Sequence, residues 1–184
     1  MRIALTTSRV VLAGALAGLL SACGSSDSSQ DYSKVSLYIN EVQSSNQSTI
    51  ADDNGEYDDW IEIYNPGTES VDLEGFLMSD SKNSEAIVGS VKVPAGGVVL
   101  LWADKDAEQG PGHLGFKLSS DGDQISISAP DGRELDKTEI GAIRTEGASW
   151  QRFPDGTGAF SWCTVPTPNA LNGSACSVAD TTAK

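Results

Sequence analysis

The residues with the clearest capacity for chemistry form an acidic run near position 55. It reads Asp52-Asp53-Asn54-Gly55-Glu56-Tyr57-Asp58-Asp59, and six of its eight side chains can offer an oxygen ligand. Ca²⁺ takes about six to eight oxygen ligands in proteins, and a divalent cation relieves the repulsion among clustered carboxylates. We therefore predict a Ca²⁺ site whose ligands are Asp52, Asn54, Glu56 and Asp58, with Glu41 of the preceding strand as a further candidate.

The spacing of this run is not that of an EF-hand loop. Gly55 falls two residues early, and no glutamate stands at the twelfth position. The alternative interpretation is a solvated acidic loop in an acidic protein, since the 184-residue chain carries 26 acidic and 12 basic side chains and a net charge of −14. That charge also argues against DNA or RNA as a direct partner, because phosphate binding depends on Lys and Arg.

The sequence offers few of the residue combinations that catalytic sites need. His113 is the single histidine, which excludes a multi-histidine zinc site and leaves any Ser-His-Asp chemistry dependent on one residue. It lies in a loop rich in glycine and proline, and no G-x-S-x-G motif is present. Carboxylate pairs are abundant, but nothing singles out two of them for glycosidase chemistry. We predict no catalytic residues and no enzymatic activity.

The N-terminus has the pattern of an export signal. Arg2 and Arg9 precede an 11-residue apolar run, residues 10–20. This run is too short to cross ~30 Å of hydrocarbon, but it has the length of a signal-peptide core. The following Leu20-Ser21-Ala22-Cys23 resembles the lipobox of bacterial lipoproteins, in which the cysteine is acylated and becomes the first mature residue. Gly24 after that cysteine favours the outer membrane by the same resemblance. The alternative is an ordinary secretory signal with an incidental cysteine.

These signals divide the chain into four parts. Residues 1–22 are predicted to be a signal peptide that is removed, and residues 23–34 a lipidated cysteine followed by a flexible Ser-rich tether. Residues 35–176 form the folded domain, and residues 177–184 form a flexible tail. Removal of the signal takes two basic side chains with it, so the formal charge changes from −14 to −16.

The two remaining cysteines, Cys163 and Cys176, are predicted to form a disulfide. They lie 13 positions apart in a chain that carries an export signal, and disulfides persist in exported proteins. Closing a loop of this size stabilises a fold by ~3 kcal/mol in the chain-entropy model. The alternative is a pair of free thiols.

The body of the chain has the signals of an all-β protein. Short alternating or apolar runs recur, and Gly, Pro, Asn and Asp separate them, whereas no apolar stripe of helical period occurs. The sequence Pro130-Asp131-Gly132 predicts a hairpin turn, and a second such turn follows at Pro154-Asp155-Gly156. The main predicted strands are residues 35–40, 60–64, 87–93, 98–103 and 124–129, and 98–103 is expected to be buried on both faces.

Several motifs, in their order and spacing, resemble the lamin tail domain in its bacterial form. The resemblance covers roughly residues 35–172. It rests on the following segments: Ile39-Asn40-Glu41-Val42, Asp59-Trp60-Ile61-Glu62-Ile63-Tyr64-Asn65-Pro66-Gly67, Val93-Pro94-Ala95-Gly96-Gly97, Gly115-Phe116-Lys117-Leu118-Ser119, Trp150-Gln151-Arg152-Phe153-Pro154-Asp155-Gly156 and Pro166-Thr167-Pro168-Asn169.

This resemblance implies a single immunoglobulin-like β-sandwich with no catalytic residues. Asn40, Asn65 and Asp80 are then expected to close turns through their own side chains. The expected core residues are Trp60, Ile61, Ile63, Leu73, Phe76, Trp102, Phe116, Leu118 and Trp150.

Together these expectations describe a lipoprotein anchored in the bacterial cell envelope, at the outer membrane and facing the periplasm or the cell surface. It presents a non-catalytic module for binding a protein or a surface polymer. The alternative is an accessory subunit that recruits a hydrolase, such as a nuclease or phosphatase, or a polysaccharide to the cell surface. The partners expected are the membrane, through the lipid anchor, and an envelope protein or polysaccharide.

Overall fold

A computed structural model of the chain describes residues 31–143 and 145–173. The described residues belong to one compact unit, which begins at Asp31. The predicted signal peptide, Cys23, residues 24–30 of the tether, Cys176 and the predicted tail all lie outside the described residues. Among the residues described, no helix is both long enough and apolar enough to span a membrane.

The described chain contains twelve β-strands and two 3₁₀ turns, Tyr32–Lys34 and Ala107–Gln109, and no α-helix. In chain order the strands are β1 Tyr38–Gln43, β2 Asp59–Tyr64, β3 Val71–Asp72, β4 Leu77–Ser79, β5 Ser84–Ala86, β6 Lys92–Val93, β7 Val98–Ala103, β8 His113–Leu114, β9 Gly122–Ser128, β10 Glu134–Gly141, β11 Ser149–Phe153 and β12 Ala159–Cys163. Runs of this length with alternating burial suit strands that each cover one side of a core.

Two sheets form the body of the domain. The larger has six strands in the order β12–β11–β1–β2–β7–β8, and the smaller has four in the order β10–β9–β4–β5. Strands β3 and β6 form a separate two-stranded ribbon. All pairings are antiparallel except that of β7 with β8, which is parallel. The predicted all-β, immunoglobulin-like sandwich is confirmed.

The core lies between the two sheets. On the larger sheet Val42, Ile61 and Leu101 lie side by side in register and are at most 1% exposed. The smaller sheet contributes Met78 and Ile127, which are likewise paired and fully buried. Because successive side chains of a strand point to opposite faces, the alternating positions of β1 and β2 face away from this core.

Most of the predicted core residues are buried, with two exceptions. Trp102 and Trp150 are half-buried, although Trp150 still packs against the edge of the core. Trp60 is fully buried but lies on the outer face of β2, where its indole nitrogen donates to Oε1 of Gln43 at 2.9 Å. Burial of an aromatic side chain is therefore not evidence that it belongs to the layer between the sheets.

The predicted hairpin at Pro130-Asp131-Gly132 is confirmed. It joins β9 to β10, which pair along their length, and Gly132 has a φ of 87°. Glycine takes this left-handed conformation at little steric cost, which explains its place in the turn.

The predicted strand 87–93 is wrong over most of its length. Only Lys92–Val93 is a strand, as β6. Ile87 and Val91 bury their side chains, which produces the alternation, but their backbone groups bond to the irregular segment before β4. Gly89, at a φ of 81°, turns the chain between them.

The packed chain also begins before the predicted boundary at Val35. The 3₁₀ turn at Tyr32–Lys34 places the Tyr32 ring edge-on against Phe76, with centroids 5.6 Å apart. The guanidinium of Arg133 donates to the carbonyl oxygens of Tyr32 and Val35. The last residues assigned to the tether thus belong to the folded domain.

Candidate functional site

The acidic run lies in the long connection between β1 and β2, and one side chain organises it. Oδ1 of Asp52 accepts hydrogen bonds from the backbone N–H groups of Asn54, at 2.9 Å, and Glu56, at 2.8 Å. Asn46 fixes the base of the same loop by donating to the carbonyl oxygens of Ile50 and Asp58. Asp52 is only 9% exposed as a result, whereas Glu56 is exposed.

A second pair of titratable side chains comes to this loop from the edge of the larger sheet. The parallel pairing of β7 with β8 places His113 beside Trp102. Asp104 follows Trp102 by two residues, so His113 lies close to it as well. Oδ2 of Asp104 hydrogen-bonds with Nδ1 of His113, and the two side chains are 2% and 9% exposed. Oδ1 of Asp104 accepts from the backbone N–H of Asp106 at 2.9 Å, and the Trp102 ring stacks on the imidazole at a centroid distance of 6.4 Å.

Asp52 belongs to two clusters that could hold a metal ion. In one, ligand atoms of Asp52, Asp104 and His113 all lie within 4.8 Å of one another. In the other, ligand atoms of Asp52, Glu56 and Asp58 do so. The first, which we call the buried cluster, contains an imidazole. The second, which we call the outer cluster, contains only carboxylates and is more open to solvent.

Two carboxylates of the outer cluster, those of Glu56 and Asp58, already have partners. Oε2 of Glu56 accepts from the Gln109 amide at 2.7 Å, and Oδ1 of Asp58 accepts from Nζ of Lys117 at 3.1 Å. The hydrogen bond to Asp58, together with the nearby carboxylates, raises the pKa of Lys117 above its usual range. Lys117 therefore offsets one negative charge on this side of the loop, and Gln109 contributes a neutral hydrogen bond.

The structure brings together three of the four predicted Ca²⁺ ligands, Asp52, Glu56 and Asp58. The fourth, Asn54, has its amide nitrogen turned to Oε1 of Gln109 at 2.5 Å. Glu41 lies elsewhere, because its carboxylate accepts from Gln151 and Thr167. Ca²⁺ binding by the loop stays a prediction.

Sequence reasoning missed Asp104 and the place of His113 beside it. The signal available was a single histidine nine residues after an aspartate that ends an apolar strand. Asp104 and His113 become neighbours because β8 returns parallel to β7, and such a return has no local sequence signature.

A separate set of buried carboxylates lies on the outer face of the larger sheet. The register aligns Gln151, Glu41 and Glu62 across β11, β1 and β2, on the face opposite the core. Glu41 and Glu62 are fully buried there. Burial raises the pKa of both carboxyls, and for Glu62 burial together with the neighbouring Glu41 charge raises it to about 8.

The segment that covers these carboxylates is the C-terminal strap, residues 164–172. Thr167 donates its backbone N–H and its hydroxyl to Glu41, and Asn169 donates its backbone N–H to Oε2 of Glu62 at 2.9 Å. Asn172 closes the strap by donating to the carbonyl oxygens of Asn40 and Arg152 at 3.0 and 2.8 Å. The most buried acids in the described chain are thus bound by the protein itself.

Of the three side chains predicted to close turns, two do so locally. Oδ1 of Asn65 accepts from the N–H of Gly67 at 2.8 Å, and Oδ1 of Asp80 accepts from the N–H of Lys82 at 2.6 Å. Asn40 is the exception, since it lies inside β1. It fixes a distant turn instead, by accepting from the N–H of Gly156 and donating to Asp155.

Cys163 ends β12 and is 1% exposed. Its predicted partner, Cys176, lies outside the described residues, so the pairing stays a prediction.

The two packed sheets and their buried polar residues define an immunoglobulin-like β-sandwich module. The family model of the Lamin Tail Domain matches residues 30–142, and the chain belongs to that family. The family indicates a structural or binding module without catalysis of its own. The match ends before β11, yet β11 pairs with β1, so the final hairpin belongs to the same sandwich. The comparison with curated proteins finds no match.

Proposed function

We propose that the protein is an envelope lipoprotein that presents this sandwich as a non-catalytic module for binding a protein or a surface polymer. The observation that carries the anchoring is Leu20-Ser21-Ala22-Cys23 after a signal-like apolar run. The packed domain has begun by Asp31, so about seven residues separate the acylated cysteine from the folded chain. The module is then held close to the lipid surface, and Gly24 favours the outer membrane.

The use of the buried carboxylates supports a binding role over catalysis. Catalytic acids and bases need free access to a substrate, in addition to a shifted pKa. Glu41 and Glu62 have raised pKa values, but their oxygens accept hydrogen bonds from the strap that covers them. Their shifted pKa values follow from a structural role.

Replacing Cys23 by Ser tests the anchoring. Because acylation needs the thiol, the variant should move from the membrane fraction to the soluble fraction of lysed cells and should lose the mass of the attached acyl chains. The matched control is Cys176→Ser, which removes a different cysteine and should leave the protein in the membrane fraction. Continued membrane association of the Cys23→Ser protein, with an unchanged mass, contradicts the proposal.

Cross-linking of the full-length protein in intact cells tests the binding role. Recovery of an envelope protein or polysaccharide supports the proposal. Reproducible recovery of a nuclease, a phosphatase or another hydrolase supports the alternative, in which the module is an accessory subunit that recruits an enzyme.

A further inference from the structure

We infer that Asp52, Asp104 and His113 form a binding site for a divalent transition-metal ion of the Zn²⁺ type. Ligand atoms from the three side chains lie within 4.8 Å of one another. Zinc binds imidazole nitrogen and carboxylate oxygen at ~2.0–2.2 Å, so two ligand atoms of one tetrahedral ion lie ~3.4 Å apart.

An orphaned oxygen provides evidence that is independent of this clustering. Oδ2 of Asp52 is buried and has no hydrogen-bond partner among the described residues, whereas Oδ1 of the same carboxylate accepts two backbone N–H groups. A buried carboxylate oxygen without a partner is costly. A bound cation would supply the missing partner.

The charge balance of the buried cluster also calls for a cation. Asp52 and Asp104 are two carboxylates, and within the described residues no Lys or Arg pairs with either of them. The charge of Lys117 acts on Asp104 as well, but its ion pair is with Asp58. A divalent ion would offset both carboxylate charges at once.

The imidazole of His113 indicates which class of metal ion the site would prefer. Ca²⁺ and Mg²⁺ prefer oxygen ligands, whereas imidazole suits Zn²⁺ and its neighbours in the first transition row. Oδ2 of Asp104 holds Nδ1 of His113 and so fixes the orientation of the ring next to Asp52. Because only the buried cluster contains an imidazole, it is the better site for such an ion.

A cavity beside the cluster leaves room for the remaining ligands. It has a volume of about 370 Å³, and Asp52, Asp53 and His113 line it together with Trp102. Three protein ligands and one water molecule complete a tetrahedral zinc site. The cavity can hold that water.

The single histidine makes a direct test possible. The full-length protein, labelled with ¹⁵N-histidine and freed of metal by a chelator, is titrated with ZnCl₂ alone. We expect one equivalent of Zn²⁺ to shift the His113 ring-nitrogen resonances and to raise the Tm. Asp52→Asn keeps an oxygen for the two backbone donors but removes the charge, and it should weaken Zn²⁺ binding by at least the ~10- to 100-fold that the loss of a residue behind a ligand costs. The matched control, Glu56→Gln, should bind as the natural protein does.

Three results would overturn the inference. The first is an unshifted His113 ring in the natural protein at one equivalent of Zn²⁺, which is decisive even where Asp52→Asn fails to fold. The second is an equal loss of binding in Glu56→Gln and Asp52→Asn. The third is a rise in Tm with Ca²⁺ that exceeds the rise with Zn²⁺ and persists in His113→Gln, which would assign the ion to the outer carboxylates.

Discussion

Glu62 shows how one buried carboxyl group couples the fold to pH. Its pKa is raised to about 8 in the folded chain, mainly by burial, from 4.5. Between these two values the unfolded chain has lost the proton that the folded chain keeps, so the free energy of unfolding falls as pH rises from 4.5 to 8. The raised pKa of Glu41 acts in the same direction.

We expect Glu62→Gln to flatten this pH dependence. The amide resembles the protonated carboxyl and does not ionise, so the variant should lose less stability between pH 5 and pH 8, by on the order of a few kcal/mol. Urea unfolding at several pH values measures the slope. Glu74→Gln, at an exposed position, is the control and should keep the natural slope. Equal slopes for Glu62→Gln and the natural protein would refute the assignment, while Glu41 and Asp59 should leave a residual slope in each.

At the scale of elements, the C-terminal strap completes the outer face of the larger sheet. It has no strand or helix of its own, and the hydrogen bonds that it donates to the sheet hold it in place. Its backbone N–H groups at Thr167 and Asn169 bond to Glu41 and Glu62. The sheet and the strap therefore stabilise each other, since removal of the strap would leave two buried carboxyl groups without these donors.

Replacing Asn172 by Ala should loosen the strap. The change removes the donors to the carbonyl oxygens of Asn40 and Arg152, and we expect a loss of about 2–3 kcal/mol. Hydrogen exchange should become faster at the amides of Thr167 and Asn169 and change less in the core strands. The neighbouring Leu171→Ala, at a side chain that is 48% exposed, should cost less than about 0.5 kcal/mol. Unchanged exchange at both amides in Asn172→Ala would show that the strap is held by other contacts.

At the scale of the whole molecule, the predicted Cys163–Cys176 disulfide would tie the end of β12 to the chain beyond the strap. Alkylation of the unreduced protein followed by mass spectrometry should detect no free thiol at either cysteine. Reduction should then lower the Tm by about 10 °C, the effect of ~3 kcal/mol on a domain of this size. The double variant Cys163→Ser, Cys176→Ser should be insensitive to reductant. Alkylation of either cysteine without reduction would disprove the bridge.

How far the sequence predicts this molecule depends on how local each feature is. The turn at Gly132 and the loop cluster of Asp52, Glu56 and Asp58 follow from residues close together in the chain, and the structure contains both. The pairing of Asp104 with His113 and the contact of Asn169 with Glu62 depend on how distant segments return to one another. Hydrophobic periodicity carries no information about such returns.

The false strand at 87–93 has a related cause. Ile87, Val91 and Val93 are buried at alternate positions, as a strand would require. Their burial is imposed by the loop packing over the core, however, and only β6 finds a strand partner. An alternating pattern reports which side chains are buried and does not report whether the backbone between them pairs.

The strap also determines how late in synthesis the domain can finish folding, because it lies near the end of the chain and bonds to strands near its beginning. Thr167 reaches Glu41 across 126 positions, and Asn169 reaches Glu62 across 107. A chain that is synthesised N-terminus first exposes β1 and β2 long before Thr167 and Asn169, which donate to their carboxyl groups. Until the last tenth of the chain is released, the outer face of the larger sheet lacks the hydrogen-bond donors of the strap. The hydrogen bonding of that face is therefore completed only when the end of the strap has emerged.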